Sequence, residues 1–167
     1  MQHRRRFLHL AALLPVLCFA SCGGEEESGV ERWIMDLDAT VERAREQLMA
    51  IPGVNPQEVD TQVGAFRLEL LQAPDYRLRL AQDQSFVLSV TGPGFEGRTL
   101  SVPGSWVQRP RGVELTPDEG EPEQIELING GTYTIYRHSG LGTYEGETLV
   151  LAWQGGTMRV VMVREPS

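Results

Sequence analysis

Chemistry in this chain would have to come from a short list of side chains. Histidine is the usual proton shuttle near neutral pH and a common metal ligand. Once an N-terminal leader carrying His3 and His9 is set aside, His138 stands alone. One imidazole cannot build a zinc site, a His-based triad or a two-histidine relay. Its position before Ser139-Gly140, at the end of an expected strand, makes it a surface or edge residue. The densest carboxylate cluster is Asp118, Glu119, Glu121 and Glu123. Calcium takes about 6–8 oxygens, often from such loops. The EF-hand spacing is absent, however, and Pro117 and Pro122 stiffen the segment, so a solvated loop is expected. Asp36 and Asp38 could imitate a calcium-binding or acid–base pair, but Asp38 reads more simply as a helix N-cap.

The remaining signatures point the same way. Every basic residue is Arg, which excludes Schiff-base chemistry and lysine-assisted nucleophiles. Neither G-x-S-x-G nor a P-loop occurs. Gly92-x-Gly94-x-x-Gly97 has dinucleotide-loop spacing by letter, but Pro93 sits inside it and no helix follows, so it is expected to be a turn. Trp106, Trp153, Tyr133 and Tyr144 could line a pocket; at strand spacing they read first as core. No catalytic residue, cofactor or metal ligand is assigned.

One residue does carry an assigned chemistry. Arg4, Arg5 and Arg6 give a basic start, Leu8 to Ala20 is apolar apart from His9 and Pro15, and Phe19-Ala20-Ser21-Cys22 follows. A basic region, a short apolar run and small residues at a cut site define an export signal. The run falls short of the roughly 20 apolar residues that span a bilayer. Ala20, Ser21 and Cys22 resemble the lipobox of bacterial lipoproteins, with Phe19 where that family usually has Leu. The resemblance implies a diacylglycerol-modified Cys22 thiol, cleavage before it, and acylation of the new amine. Stable anchoring needs more than one acyl chain, each buried CH₂ contributing about 0.8 kcal/mol. Gly23 in place of the Asp associated with inner-membrane retention favours the outer membrane. Arg4-Arg5-Arg6-Phe7-Leu8 also resembles the twin-arginine export pattern, the alternative to the Sec route.

Residues 1–21 are thus expected to be a signal peptide, 22–30 a lipidated flexible acidic tether, and 31–167 one domain. The formal charge of the 167-residue chain is −8, and loss of three arginines with the signal leaves 12 basic against 23 acidic residues. That balance argues against nucleic acid, which requires a basic footprint. It equally disfavours electrostatic docking on anionic lipid, so the lipid on Cys22 must hold the protein at a membrane. Cys22 is the only cysteine past the signal, so no disulfide staples the domain.

The elements follow from periodicity. Residues 30–50 fit helical spacing through Val30, Trp33, Ile34, Leu37, Val41, Ala44 and Leu48. Trp33, Met35 and Leu37 also alternate as in a strand. A strand at about 31–37 followed by a helix from 39, capped by Asp38, is favoured. Asn55-Pro56-Gln57-Glu58 starts a second helix to about Gln72. Gly64 weakens it by roughly 1 kcal/mol, and a strand at 65–71 is the alternative. From Tyr76 the period becomes two. Strands are expected around 76–82, 85–90, 100–107, 113–116, 125–128, 133–137, 148–153 and 158–163, with hairpins at Asn129-Gly130-Gly131 and Gln154-Gly155-Gly156. The last two are apolar on both faces and should be central. The fold class is mainly β (α+β). It is an antiparallel meander of about eight strands forming a barrel or curved sheet, with two helices inserted after the first strand.

Trp33–Thr40, Tyr76–Val90, and Gly104-Ser105-Trp106 with Val113–Pro117 together resemble a group of bacterial lipocalin-like lipoproteins over about residues 31–165. Glu31 stands where that group often has Gly. The resemblance implies a lipocalin-like barrel. The expected role is non-enzymatic: binding or structural interaction by a membrane-anchored envelope lipoprotein. The alternatives are a carrier of a small apolar ligand in the barrel interior and, less expected, a hydrolase-type enzyme.

Overall fold

The computed structural model describes residues 29–71, 75–127, 130–154 and 159–166. The signal at 1–21, Cys22 and most of the acidic tether lie outside them, as do Asn129 and the Gly155-Gly156 turn. In chain order the elements are β1 (Glu31–Met35), α1 (Leu37–Met49), α2 (Pro56–Leu70), β2 (Asp75–Leu80), β3 (Ser85–Thr91), a 3₁₀ turn (Pro93–Phe95), β4 (Leu100–Arg109), β5 (Gly112–Pro117), β6 (Glu123–Glu126), β7 (Thr132–Ile135), β8 (Gly140–Glu145), β9 (Thr148–Trp153) and β10 (Arg159–Arg164). Eight strands close into an antiparallel barrel in the order β1-β10-β9-β8-β5-β4-β3-β2. The sheet is therefore a closed barrel and not an open curved sheet.

Three expectations need correction. First, the β1–α1 boundary falls two residues earlier. Asp36 is extended (φ −87°, ψ 106°), and its Oδ1 accepts from Ala39 N at 2.9 Å, so Asp36 is the N-cap. Its own N–H donates to Val161 O at 2.9 Å, which makes it the last residue held by the barrel and the first to cap the helix. Asp38 lies in the first helical turn, exposed, and pairs with Arg67 at 2.8 Å. Second, β6 and β7 pair only with each other and form a separate two-stranded ribbon. Third, a strand absent from the expected set, β8, takes their place between β5 and β9. Residues 65–71 are not a strand: α2 runs to Leu70, capped by Asn55 Oδ1 accepting from Gln57 N at 3.0 Å.

The two-faced apolarity of β9 and β10 has a direct cause. Leu149, Leu151 and Met162 face the interior, while Val150 and Val161 are paired on the outer face and buried there. Helix α1 packs on β10. The same helix pair closes one end of the barrel. There Met35, Tyr76 and Val160 meet Leu37 and Val41 of α1, and Val63, Phe66 and Leu70 of α2.

Where β1 ends, at Met35 opposite Met162, β10 extends three residues further, to Arg159, and its backbone at Val161 needs partners. Thr40 supplies them: Val161 N–H donates to Thr40 Oγ1 at 3.0 Å, and the Thr40 hydroxyl donates to Val161 O at 3.3 Å. Thr40 is the one buried polar residue among those described, with 0% exposure. Its hydroxyl does the work of a missing strand residue. Thr40→Val keeps the shape but leaves a buried N–H without an acceptor, and should lower unfolding stability in urea by about 1–3 kcal/mol. Thr40→Ser keeps the hydroxyl and should cost clearly less; equal losses for the two would remove the hydrogen bond from the account.

Candidate functional site

The first place to look for a ligand in a barrel is its interior. An eight-stranded barrel is just wide enough either to be filled by side chains or to hold one small ligand. Here Trp33, Leu78, Leu80, Phe86, Leu115, Leu149, Leu151 and Met162 each expose 1% or less of their surface and belong to one contiguous cluster. Side chains around a water-sized void would present surface to it; these present almost none. The interior is packed.

The aromatics expected as core or cage belong to this packing. Trp106 packs against the cluster, and its indole N–H donates to Ala81 O at 2.9 Å, stitching the β2–β3 turn to β4. Trp153 lies against Gly140 so closely that a Cβ there would sit 2.6 Å from its ring. Tyr144 meets Trp33 with ring centroids 5.9 Å apart. Tyr133 meets Phe95 at 5.3 Å, and its hydroxyl is hydrogen-bonded to that of Tyr76, joining the β6–β7 ribbon to the barrel. Burial, reinforced by the Glu69 carboxylate, pushes the Tyr76 phenol up to about 12.

The mouth opposite the helices is polar. Trp33 Nε1 donates to Glu31 at 3.2 Å, and Arg164 lies over the Trp33 ring at 4.7 Å and reaches Glu31 at 3.5 Å. Burial first, and then the Glu31 carboxylate, raise the Tyr144 phenol above its ordinary value. At the adjacent turn, hydrogen bonds from Ser85 Oγ (2.6 Å) and N (2.9 Å) hold the exposed Asp83 carboxyl below the usual range. A shallow groove of about 780 Å³ runs across this rim between Glu31, Gln82, Trp106 and Arg164.

The sequence candidates for chemistry are dispersed. His138 stacks on the exposed Tyr136 at 5.5 Å. Asp36 caps α1 and Asp38 pairs with Arg67. Gly92 to Gly97 surround the 3₁₀ turn, which delivers Phe95 into the core. The acidic loop is organised by an arginine: Arg137 donates to Glu121 O at 3.1 Å, to Asp118 O at 3.5 Å and to Glu123 Oε1 at 3.1 Å. Glu123 also accepts from Ser101 N at 3.2 Å, tying β6 to β4. Among the described residues, no three His, Cys, Asp or Glu side chains are grouped as a metal would require. No described helix is long and apolar enough to cross a membrane.

Two grooves on the outer wall escaped sequence reasoning. One, of about 420 Å³, lies on β8–β9 and is lined by Leu141, Ala152 and Trp153, with Glu114 at its edge. The other, of about 320 Å³, lies on β1–β3 and is lined by Arg32, Arg77 and Arg79 with Val87, Ser89 and Glu165. Arg77 and Arg79 alternate with Leu78, so their shared outward face was legible. Their meeting with Arg32 depends on the β1–β2 register, which no local pattern carries.

No family model, curated protein or solved structure matches the chain.

The Tyr76 geometry carries a pH prediction. The folded chain keeps this phenol protonated up to about 12, against 10.0 for the unperturbed group. A raised folded-state value stabilises the fold fully below pH 10 and loses that contribution as pH climbs toward 12. Tyr76→Phe should abolish this alkaline step in a stability-versus-pH series followed by circular dichroism. An unchanged step in the variant would assign it elsewhere.

Proposed function

We propose that this chain is a lipid-anchored lipoprotein of the bacterial cell envelope, with a lipocalin-like barrel that works without catalysis through its outer surface. The observation that carries the second half is the packed interior: a barrel with its inner faces filled by Trp33, Phe86 and six aliphatic or thioether side chains at 1% exposure or less favours external contacts over an enclosed ligand. The anchoring half rests on Arg4–Arg6, the apolar run and Ala20-Ser21-Cys22. The tether enters at the barrel mouth, since Gly29, Val30 and Glu31 border the rim groove. Residues 22–30 reach at most about 30 Å when extended. A lipid on Cys22 would therefore hold the mouth toward the bilayer and the helical end away from it, with the outer membrane favoured.

Native mass spectrometry of the full protein, extracted from its own membranes in mild detergent, tests both halves at once. The expected species is residues 22–167 plus a diacyl or triacyl modification, with no further mass released on activation. Cys22→Ser, expressed in parallel, should leave the membrane fraction. A releasable small molecule would move the function into the barrel as a carrier. An unmodified thiol, or a membrane-bound Cys22→Ser protein, would overturn the anchoring.

A further inference from the structure

We propose that the turn joining α1 to α2 is a second membrane contact, which sets its apolar side chains into the lipid surface beside the tether. The inference rests on the lipid-anchoring proposal, because a bilayer at the barrel mouth is the occupant it names. The composition of the turn is the first observation. Residues 47–57 carry no charged side chain, although they lie between Glu46 and Glu58 in a chain with 15 basic and 23 acidic residues. The run includes Leu48, Met49, Ala50, Ile51, Pro52 and Val54. Met49 is 47% exposed and Ile51 52%. Single exposed apolar residues are ordinary on a protein surface. Two of them, two positions apart on an uncharged turn of an acidic chain, suit an apolar solvent better than water.

The placement of the turn is the second observation. The start of α1, through Leu37 and Val41, and the later part of α2, through Val63, Phe66 and Leu70, pack at the barrel end that the helices close. The turn that joins them lies at the opposite end of the helix pair. From the closed end α1 runs along β10 toward the mouth. Thr40 is hydrogen-bonded to Val161, and Arg43, three residues later, is paired with Glu145. Glu145 ends β8 at the mouth, next to Tyr144, whose ring meets Trp33 there. Met49 follows six residues after Arg43, about 9 Å farther along the helix at 1.5 Å per residue. The turn therefore projects on the side where Gly29, Val30 and Glu31 bring in the tether. It is also pre-formed. Pro52 and Gly53 occupy its centre, Gly53 at φ +79°, and Val54 N–H donates to Ile51 O at 3.2 Å. Pro followed by Gly is the pattern of a type II turn, so Ile51 enters lipid from a backbone that is already ordered.

The contact orients the barrel and does not hold it. Interfacial binding scales with the apolar area buried, and even one acyl chain binds only reversibly, so a Cys22→Ser protein still leaves the membrane. The test uses the full lipoprotein in phosphatidylcholine vesicles, with one added cysteine carrying an environment-sensitive fluorophore. Ile51→Cys reports the turn. Leu68→Cys, at a position 65% exposed and about 18 Å along α2 from Pro56, reports the far end of the same helix pair. In protein that floats with the vesicles, brominated acyl chains should quench the label at position 51 and not at position 68. Adding Met49→Asp, which sets a charge on the tip, should bring quenching of the Ile51→Cys label down to the Leu68→Cys level. Floating protein with equal quenching at both positions, or quenching at position 51 that ignores Met49→Asp, would overturn the inference and leave the anchoring intact. Protein that does not float, or wild-type protein that takes the label on Cys22, would overturn the anchoring, and the inference falls with it. Amide hydrogen exchange at Ile51 and Gly53 of the unlabelled wild type decides without any variant: slower exchange on vesicles supports the contact, and an unchanged rate contradicts it.

Discussion

Closure of the barrel through β1 is the constraint on which the rest of the structure depends. This five-residue strand is bonded on both sides, to β2 and to β10. Without it both neighbours would be open edges, which invite pairing with other chains. Its shortness creates a deficit at Val161, where β10 outruns it, and the chain meets that deficit within five residues by turning at Asp36 and presenting Thr40. The same turn sends α1 across the outer wall over β10. One hydroxyl thus links barrel closure, helix position and the burial of Val161.

Closure also determines where function can reside. In an eight-stranded barrel the choice between a filled interior and a ligand cavity is made by the inward side chains. Here they are large where space allows and absent where neighbours already fill it. Gly142 on β8 is the clearest instance: a Cβ there would approach Leu149 at 2.8 Å and Val113 at 2.9 Å. The helices close one end, the β6–β7 ribbon contributes Ile125, Ile135 and Tyr133 to the core, and the Glu31–Arg164 pair sits at the mouth between the adjacent strands β1 and β10. The proposed external contacts therefore fall to the wall and the rim.

The sequence was most legible where one face of a strand is apolar and the other polar. Tyr76–Leu80 alternates cleanly, Phe86–Val90 alternates apart from Val87, and they form β2 and β3. Both helices were legible from their caps and apolar spacing, although α1 was placed two residues late because Asp36 and Asp38 are both good caps. Tertiary pairing chose between them, through the bond from Asp36 N to Val161 O. Strand β8 was illegible for a physical reason. Its inward positions Gly140 and Gly142 are emptied by Trp153, Leu149 and Leu151, while Leu141 points outward and is exposed. The hydrophobic pattern of that strand is therefore inverted. The β6–β7 hairpin announced itself through Asn129-Gly130-Gly131, but nothing local says that it leaves the barrel. The arginine groove needed the register of two strands separated by 39 residues of helix and loop between Met35 and Asp75.

The central claim is that the barrel is full, and a cavity made on purpose tests it most directly. Phe86→Ala removes a ring buried to 1% exposure, at a cost of about 3–5 kcal/mol. It should leave an apolar void of the kind that stays dry and admits small apolar molecules. Calorimetric titration with a benzene-sized apolar ligand should show saturable binding to Phe86→Ala and none to the wild-type protein. Saturable binding to the wild type, weakened or unchanged by the substitution, would contradict the account and return the function to the barrel interior.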